Sequence, residues 1–489
     1  MSLTKDGRRT KIVWSFETKV LDDARAEQVL GEDVDALRLV LNRATAEQLP
    51  SFIDKLRHLF ETSKKSRAGG ERTKTMPPIM IDLQEGARAS ITGLSAPKEI
   101  AFGEKVTIGQ VGANATFEVA CRQWDGLMEE GALVYVGYGD AVLRVTSVSQ
   151  RLVTTETVQG GTIYPDSDLH IPATRKTPKL SDYKTAELDE LLRKSLDFLV
   201  LPGVESPEEV LEFRKFIATQ TVAFGLAFAP WLILRVDSVA VYEKLDDLLE
   251  VVDGVLISRK DLALSMNPAQ IPMVTKEIIQ RCNDHAKIVL TASEMLGSMR
   301  RNVTPTRAEV SDIANAVIDG TDAVVLSEDV AHGKYALQAL QVMRRTIADI
   351  ESRTGEEPNW VKLAPTVSTE MDAVAFAAYR TARRVKAKAI VCITKAGNTA
   401  LKLASFRAPV PIIAVTFSPD IMRKLSVVRG VDGLVLDVDP KIDDVLPVVT
   451  DHLLRNSWLK SGDRIIFISV TISSLGREAS NLFTVQQLA

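Results

Sequence analysis

Two aspartates lie at the ends of neighbouring apolar segments of the 489-residue sequence. Asp237 closes the segment WLILRVD, and Asp261 lies near the end of the next apolar segment, GVLISRKDL. Carboxylates on adjacent strands can share one divalent cation, because Mg2+ accepts one or two protein carboxylates together with substrate oxygens. These residues therefore favour a Mg2+ (or Mn2+) site held by Asp237 and Asp261.

Cationic and hydroxyl side chains accompany these acids. Arg38 lies within the segment DALRLVLN, Arg235 precedes Asp237 by two residues, and Ser293 and Glu294 follow the segment KIVLTA. Guanidinium groups bind carboxylates and phosphates through paired hydrogen bonds. Arginines beside a metal site therefore indicate an anionic substrate.

The same residues allow a purely structural interpretation. Arg235 and Asp237 are two residues apart, as are Arg259 and Asp261, and each pair could form an ion pair that closes the rim of the fold. Residue types alone leave both the metal site and the ion pairs open.

Eight short apolar segments, most of them followed by a helical pattern, must position these side chains. They span 10–16, 35–42, 78–83, 197–204, 231–237, 254–262, 286–293 and 323–329. Uninterrupted apolar runs are typical of parallel strands that helices cover on both faces. Ser206-Pro207 starts a helix after the fourth segment, and Thr306 with Glu309 forms a capping box whose helix ends at Gly320. This alternation predicts an α/β fold, a (β/α)8 TIM barrel, with reacting groups at the carboxyl ends of its strands.

One interval interrupts the alternation of strands and helices. Residues 94–172 contain short β runs such as ALVYVGY and AVLRVTSV, which predict a small β-barrel-like lid domain inserted into a barrel loop. We therefore predict a first barrel part at 1–93, the lid at 94–172 and a second barrel part at 173–350. Helices and strands after the linker predict a separate open α/β domain at 351–489.

Composition excludes several classes of protein. The formal net charge of −4 lacks the basic excess of a dedicated nucleic-acid binder. The longest apolar stretch, 222–234, has 13 residues and contains Gly225 and Pro230, which is too short for a membrane span. The N-terminus shows no signal peptide, and three scattered cysteines fit a reducing cytosol. We therefore expect a cytoplasmic protein.

A second candidate site lies in the C-terminal domain, in the segment TKAGNT between a predicted strand and a predicted helix. Its polar residues and glycine are Thr394, Lys395, Gly397, Asn398 and Thr399. Backbone N–H groups at a helix start, with hydroxyls and a lysine, can cradle a phosphate group. The alternative is a capped turn with a solvated lysine.

Several segments carry a resemblance to a known family. The best is PTRAEVSDIANAVIDGTDAVVLSEDVAHGKYALQAL at 305–340, and further matches are LRVD at 234–237, SRKDLA at 258–263 and TASEMLGSM at 291–299. The chain resembles the pyruvate kinase family over nearly its whole length, including the inserted β domain and the C-terminal domain. The resemblance implies the same barrel, a lid that moves over its mouth, a C-terminal effector domain and a homotetramer.

The family moves a phosphoryl group from phosphoenolpyruvate to ADP in glycolysis, which yields pyruvate and ATP. By resemblance, Asp237 and Asp261 would bind the divalent metal, and Arg38 would hold the phosphate. Arg235 would face the transferring phosphoryl group, and Ser293 would help hold the pyruvate carboxylate and the methyl-carbon face. The TKAGNT segment resembles the loop at which the family binds a phosphorylated activator.

The chain departs from the family pattern at the site itself. Arg235 replaces a catalytic lysine, Asp237 a glutamate, Lys260 a substrate-binding glycine and Ser293 a threonine. The segment VLNR at 40–43, with Leu83 after Asp82, lacks most of the oxygens that would hold K+. We therefore expect the K+ site to be lost, with Arg43 or another cation in its place.

Two hypotheses follow from these departures. The chain is a divergent, K+-independent pyruvate kinase, or it is a catalytically impaired paralogue that acts by ligand binding or assembly. Phosphoenolpyruvate with ADP is the expected substrate pair in the first case. Fold similarity alone does not decide between the two.

Overall fold

In a computed structural model, the chain forms two closed barrels and a C-terminal five-stranded sheet. The structure describes residues 7–17, 23–32, 34–41, 48–66, 76–83, 89–120, 124, 128–137, 139–165, 167–171, 180, 185–293, 295–353, 369–436, 442–472 and 478–488.

Helices and strands are numbered along the chain. The first segment contains β1 (Lys11–Glu17), α1 (Asp23–Gly31), β2 (Ala36–Leu41), α2 (Leu49–Ser66) and β3 (Ile79–Leu83). The second contains β4 (Ala89–Thr92), β5 (Lys98–Ile100), β6 (Lys105–Gln110), β7 (Phe117–Ala120), β8 (Leu133–Val136), β9 (Ala141–Val148), β10 (Leu152–Gln159), β11 (Gly161–Ile163) and β12 (Asp168–His170).

The third segment returns to alternating helices and strands. It contains α3 (Thr185–Leu192), β13 (Phe198–Pro202), α4 (Pro207–Ala223), β14 (Trp231–Val236), α5 (Val239–Glu243), α6 (Leu245–Leu249), β15 (Gly254–Ser258), α7 (Arg259–Leu262), α8 (Ile271–Asp284), β16 (Ile288–Ala292), α9 (Arg307–Asp319), β17 (Ala323–Leu326), α10 (Glu328–Ala331) and α11 (Ala336–Arg353). The last contains α12 (Glu370–Arg384), β18 (Ala389–Ile393), α13 (Asn398–Ser405), β19 (Ile412–Thr416), α14 (Pro419–Leu425), β20 (Val431–Val435), α15 (Ile442–Arg455), β21 (Arg464–Ile472) and β22 (Glu478–Gln487).

Eight parallel strands close into a barrel, in the order β1-β2-β3-β13-β14-β15-β16-β17. The predicted (β/α)8 barrel is therefore confirmed. Successive side chains of a strand point to opposite faces, so each strand supplies both the interior and the layer beneath the helices. On β14, Leu232 and Leu234 pack with the helices, whereas Ile233 joins the interior core. This two-sided burial explains the uninterrupted apolar runs.

Helix-capping residues lie where the sequence predicts them. The Ser206 hydroxyl accepts a hydrogen bond from the backbone N–H of Glu209 at the start of α4. Thr306 and Glu309 form a reciprocal capping box at the start of α9, and Gly320 ends that helix with a φ of 94°. Both predicted helix starts are confirmed.

The predicted strand at 254–262 is wrong in its second half. β15 ends at Ser258, and 259–262 form the short helix α7. Three consecutive charged residues, Arg259, Lys260 and Asp261, end the apolar run, because alternation along a strand would direct at least one of them into the apolar layer beneath the helices. Asp261 therefore lies on a helical turn above the barrel and not at a strand end.

The inserted domain is a second closed barrel of seven strands, in the order β10-β6-β7-β4-β12-β8-β9. Its strand β4 begins at Ala89, five residues before the boundary that the sequence predicts at 94. The four residues of β4, ASIT, alternate between apolar and polar, so the sequence carried a short strand signal that the predicted boundary passed over. Strands β5 and β11 pair separately beside this barrel.

The C-terminal domain is a five-stranded sheet in the order β20-β19-β18-β21-β22, with β22 antiparallel to β21. One apolar cluster joins the interior of the large barrel to this domain, and it includes Val13, Ile233, Ile421 and Leu425. The C-terminal domain therefore closes the base of the large barrel. The sequence predicts the four parallel strands but not β22, whose residues are largely polar.

Within the described residues, none of the helices combines the length and the apolar character that crossing a bilayer requires. Cys282 and Cys392 are buried free thiols, and burial raises the pKa of each. Cys121 lies outside the described residues.

Candidate active site

A layer of polar side chains lines the large barrel, two residues further along the strands than its apolar interior. Ala36, Met80 and Ile233 belong to the interior core. The residues two positions further along the same strands are Arg38, Asp82 and Arg235. Because side chains alternate along a strand, these three side chains point into the barrel at its carboxyl end. The two-residue period of the strands therefore places charged side chains at the predicted site.

Asp82 joins the two arginines. Its side chain is fully buried, and one oxygen accepts hydrogen bonds from Nε of Arg38, at 2.9 Å, and from Nη2 of the same guanidinium. Its second oxygen faces Nη1 of Arg235 at 3.4 Å. The Ser15 hydroxyl accepts a further bond from Arg38 at 3.1 Å. The carboxylate therefore holds two guanidinium groups on its two oxygens.

Arg235 also forms the ion pair with Asp237 that the structural interpretation expects. Nε of Arg235 lies 3.0 Å from Oδ2 of Asp237, and both side chains are almost completely buried. A carboxylate has about four lone-pair positions, so one accepted hydrogen bond does not prevent it from ligating a cation. Asp237 can therefore form this ion pair and still ligate a cation.

The second predicted metal ligand, Asp261, lies on α7 beside Lys260, and both are partly exposed. The Ser258 hydroxyl donates to Oδ2 of Asp261 at 2.6 Å. The structural interpretation allowed an ion pair between Arg259 and Asp261. Arg259 pairs with Asp312 on α9 instead, through its two terminal guanidinium nitrogens, Nη1 and Nη2.

The donor chemistry fits a magnesium ion that substrate helps to hold. Asp237 and Asp261 supply hard carboxylate oxygens, and they follow the neighbouring strands β14 and β15. Among the described residues, no group of three His, Cys, Asp or Glu side chains could hold a metal ion. Mg2+ commonly takes only one or two protein carboxylates and completes its shell with water and phosphate oxygens.

Ser293 follows β16 in an unusual backbone conformation. Its φ of 72° lies in the left-handed region, which costs a non-glycine residue about 1–2 kcal/mol. Its carbonyl accepts a hydrogen bond from Nη2 of Arg259, and Nε of the same arginine donates to the carbonyl of Ala292 at 3.1 Å. Glu294 lies outside the described residues.

The TKAGNT loop lies at the opposite end of the barrel. The hydroxyl of Thr394 accepts the backbone N–H of Gly397 at 2.9 Å, but no described side chain caps the start of α13. Gly397 has a φ of 98° and packs against the ring of Trp231, the first residue of β14. Thr399 is buried, whereas Lys395 and Asn398 are exposed. The loop thus presents a lysine and an amide to solvent.

Sequence reasoning missed the roles of two residues. It noted Asp82 beside Leu83 but did not expect it to join Arg38 to Arg235, although a carboxylate within the apolar segment PIMIDL is a visible signal. It gave no role to Asp312, which lies within an ordinary amphipathic helix. Nothing in the local sequence marks that residue as a partner of Arg259.

Comparison with known proteins agrees with this architecture. The sequence matches the family "Pyruvate kinase, barrel domain" over residues 7–340 and "Pyruvate kinase, alpha/beta domain" over residues 372–485. It is 28% identical to a pyruvate kinase of Sporosarcina psychrophila over 473 residues, which is 94% of this chain and 77% of the relative. It is 27% identical to a pyruvate kinase of Geobacillus stearothermophilus over 99% of this chain and 81% of the relative.

Solved structures show the same fold. A pyruvate kinase of Cryptosporidium parvum in complex with ADP superposes with a TM-score of 0.80 at 24% sequence identity, over 99% of this chain and 96% of that chain. Because the barrel-domain match alone covers more than half of the sequence, the chain belongs to the pyruvate kinase family.

Proposed function

We propose that the chain transfers a phosphoryl group from phosphoenolpyruvate to ADP, giving pyruvate and ATP, and that it does so without K+. The observation that carries the proposal is the buried series Arg38, Asp82, Arg235 and Asp237 at the carboxyl ends of the barrel strands. Active sites of such barrels lie at this end. Two guanidinium groups held there suit a substrate that carries a phosphate and a carboxylate.

The arginines bind and position charge in this proposal. Arg38 holds the phosphate group, and Arg235 stabilises the negative charge on the transferring phosphoryl group. Preorganised cations are effective in a water-excluded site, because they need no reorganisation as the charge develops. A guanidinium does not give up a proton near neutral pH, so Arg235 leaves the enol proton to water or another group.

Asp237 and Asp261 would hold the divalent cation that the family requires. When bound, that cation would neutralise part of the negative charge on the transferring phosphoryl group. Lys260 and Ser293 would face the carboxylate end of the substrate, with Ser293 beside the methyl-carbon face. These roles follow the resemblance, residue by residue.

Independence from K+ is supported by the surroundings of Asp82. Both of its carboxylate oxygens face guanidinium nitrogens, which supply the positive charge that a potassium ion would otherwise contribute. Leu83 offers no side-chain oxygen beside it. Arg235 is therefore the replacement cation in this proposal. Asn42 and Arg43, the other positions considered from the sequence, lie outside the described residues.

The test is ATP formation from phosphoenolpyruvate and ADP with Mg2+, measured with and without K+. We expect equal turnover in both conditions and loss of turnover when a chelator removes Mg2+. The Asp261→Ala variant is the control. Turnover no higher than this control in either condition would refute the enzymatic proposal.

The second candidate function is ligand binding by a catalytically impaired paralogue. The ion pair between Arg235 and Asp237 favours it, because the guanidinium neutralises one of the two expected metal ligands. Calorimetry with Mg2+ and with phosphoenolpyruvate separates the cases when turnover is absent. Heat of binding would indicate a binding protein, and its absence would indicate a site that has lost both functions.

We further propose that the TKAGNT loop binds a phosphorylated metabolite, with exposed Lys395 as its cation. Lys395→Ala should weaken the binding of sugar phosphates, whereas Lys388→Ala, at the opposite end of β18, should not. Equal affinity in both variants would contradict the proposal. The homotetramer expected from the resemblance is tested by light scattering, and a monomer at micromolar concentration would contradict it.

A further inference from the structure

Ser293 is held in its left-handed backbone conformation by a side chain from another segment. The guanidinium of Arg259 is buried and donates to the carbonyls of Ala292 and Ser293, the last residue of β16 and the one after it. Two carbonyls bonded to one rigid guanidinium cannot rotate independently. The contact therefore fixes the backbone on the N-terminal side of the loop that carries the candidate substrate-binding hydroxyl.

Arg259 is held in turn by Asp312. The two terminal guanidinium nitrogens of Arg259, Nη1 and Nη2, face the Asp312 carboxylate, and Nη2 lies 2.7 Å from Oδ2. Paired contacts between planar groups fix orientation as well as distance. The guanidinium plane of Arg259 is thus set by a carboxylate on α9.

The helix that carries Asp312 is itself firmly placed. Its first turn is closed by the capping box of Thr306 and Glu309. Glu309 also accepts hydrogen bonds from the backbone N–H and the hydroxyl of Ser298, each at 2.6 Å. The loop between β16 and α9 is therefore bonded to the helix at Ser298 and, through Arg259, at Ser293.

We propose that Asp312 is a positioning residue for the candidate active site, acting through Arg259. Arg259 begins the helical turn that also carries Lys260 and Asp261, so the pair joins the turn with a candidate metal ligand to the loop with Ser293. Asp312 thereby fixes the relative placement of the two segments. The inference rests on the proposed function for its kinetic consequence but not for its structural one.

The experiment compares Asp312→Asn with Asp319→Asn in the full-length chain. Both residues lie on α9, both are partly buried, and Asp319 pairs with Lys276 on α8, away from the site. We expect Asp312→Asn to speed amide hydrogen exchange in residues 293–302 about tenfold. It should lower kcat by about 10- to 100-fold, since small misplacements of reacting groups are costly. The KM for ADP should be unchanged, Asp312→Glu should recover most of the activity, and Asp319→Asn should change none of these quantities.

Each outcome decides a separate point. Unchanged exchange in residues 293–302 would overturn the role of Asp312, whatever the activity. Faster exchange with unchanged kcat would show that the contact supports the loop without positioning the reaction. If the unaltered protein forms no ATP, the proposed function fails, and the exchange measurement alone decides whether Asp312 holds the Ser293 backbone.

Discussion

Buried carboxylates lie at both ends of the large barrel, and they are bonded in different ways. At the base, Asp322 accepts the backbone N–H groups of Val289, at 2.9 Å, and of Arg429, at 3.1 Å. It also pairs with Arg407 at 2.7 Å. At the mouth, the hydrogen bonds of Asp82 within the described residues come from guanidinium groups.

A second carboxylate at the base follows the pattern of Asp322. Glu351 accepts the backbone N–H and the hydroxyl of Thr10, at 2.9 and 2.7 Å, and it pairs with Arg429 at 3.2 Å. Burial lowers the pKa of Arg429 to about 10, although Glu351 acts in the opposite direction. These contacts join the barrel to the C-terminal domain.

This difference in bonding partners indicates which end of the barrel can bind a ligand. Backbone amides are fixed by the chain and cannot turn to a ligand, so the base carboxylates serve the fold. The partners of Asp82 are guanidinium groups, which also bind phosphate through paired hydrogen bonds, so they can serve a substrate in the proposed function. Bonding partners thus separate a structural ion pair from one that can take part in binding.

The largest expected effect is at the base. Asp322→Asn removes a charge that compensates Arg407, so we expect a loss of about 3–5 kcal/mol in the free energy of unfolding. Urea unfolding measures this loss. Inorganic phosphate should restore less of it than at Asp82, because only one described partner of Asp322 is a guanidinium and the other two are backbone N–H groups that cannot reorient.

Without added phosphate, Asp82→Asn should lower the free energy of unfolding by about 3 kcal/mol, because it leaves two buried guanidinium groups with one anion fewer. Phosphate should bind those groups and recover part of the loss, since a ligand that binds the folded state stabilises it. Unfolding is measured with and without millimolar phosphate. Equal phosphate effects in Asp82→Asn, Asp322→Asn and the unaltered protein would remove the distinction between the two ends.

Arg235→Lys restores the residue type of the family pattern and should lower kcat about tenfold, which corresponds to about 1.4 kcal/mol. An ammonium is a point charge and cannot face Asp82 and Asp237 in the geometry of the guanidinium. Asp82 then lacks one cation, so K+ should stimulate the variant but not the unaltered protein. A variant as indifferent to K+ as its parent would show that Arg235 does not replace that ion.

The barrel could be predicted from the sequence because each strand is a continuous apolar run with helix signals after it. The two-residue period also places Arg38 and Arg235 in the interior, so the sequence was sufficient to predict that these side chains share one end of the barrel. Strand β22 could not be predicted, because it lies at a sheet edge and needs few apolar residues. At Asp261 the candidate site lies on a helical turn, where the two-residue period of the preceding strand no longer applies.

The partners of the charged residues were less accessible to sequence reasoning. Arg259 has Asp261 two residues away, yet it pairs with Asp312, which is 53 positions away. Sequence proximity favoured the wrong partner, because α7 directs Arg259 towards the neighbouring strand end. Ion pairs across a barrel depend on the three-dimensional path of the chain, which local patterns do not encode.

The smallest expected effect concerns the contact between the TKAGNT loop and the barrel base. A Cβ atom added at Gly397, where φ is 98°, would lie 3.2 Å from Cη2 of Trp231. Gly462 has a similar φ of 86°, but a Cβ there would meet no described atom within 4 Å. Both Gly→Ala changes carry the cost of a left-handed residue, so their difference isolates the ring contact.

We expect Gly397→Ala to lose about 1 kcal/mol more in the free energy of unfolding than Gly462→Ala, because the crowded ring must shift. Urea unfolding of the two variants measures that difference. The KM for phosphoenolpyruvate should stay within about twofold in both, since the base supports β14 without touching the substrate at its other end. A large change in KM for Gly397→Ala alone would mean that β14 transmits the displacement of Trp231 to Arg235, and the base would then be more than a structural support.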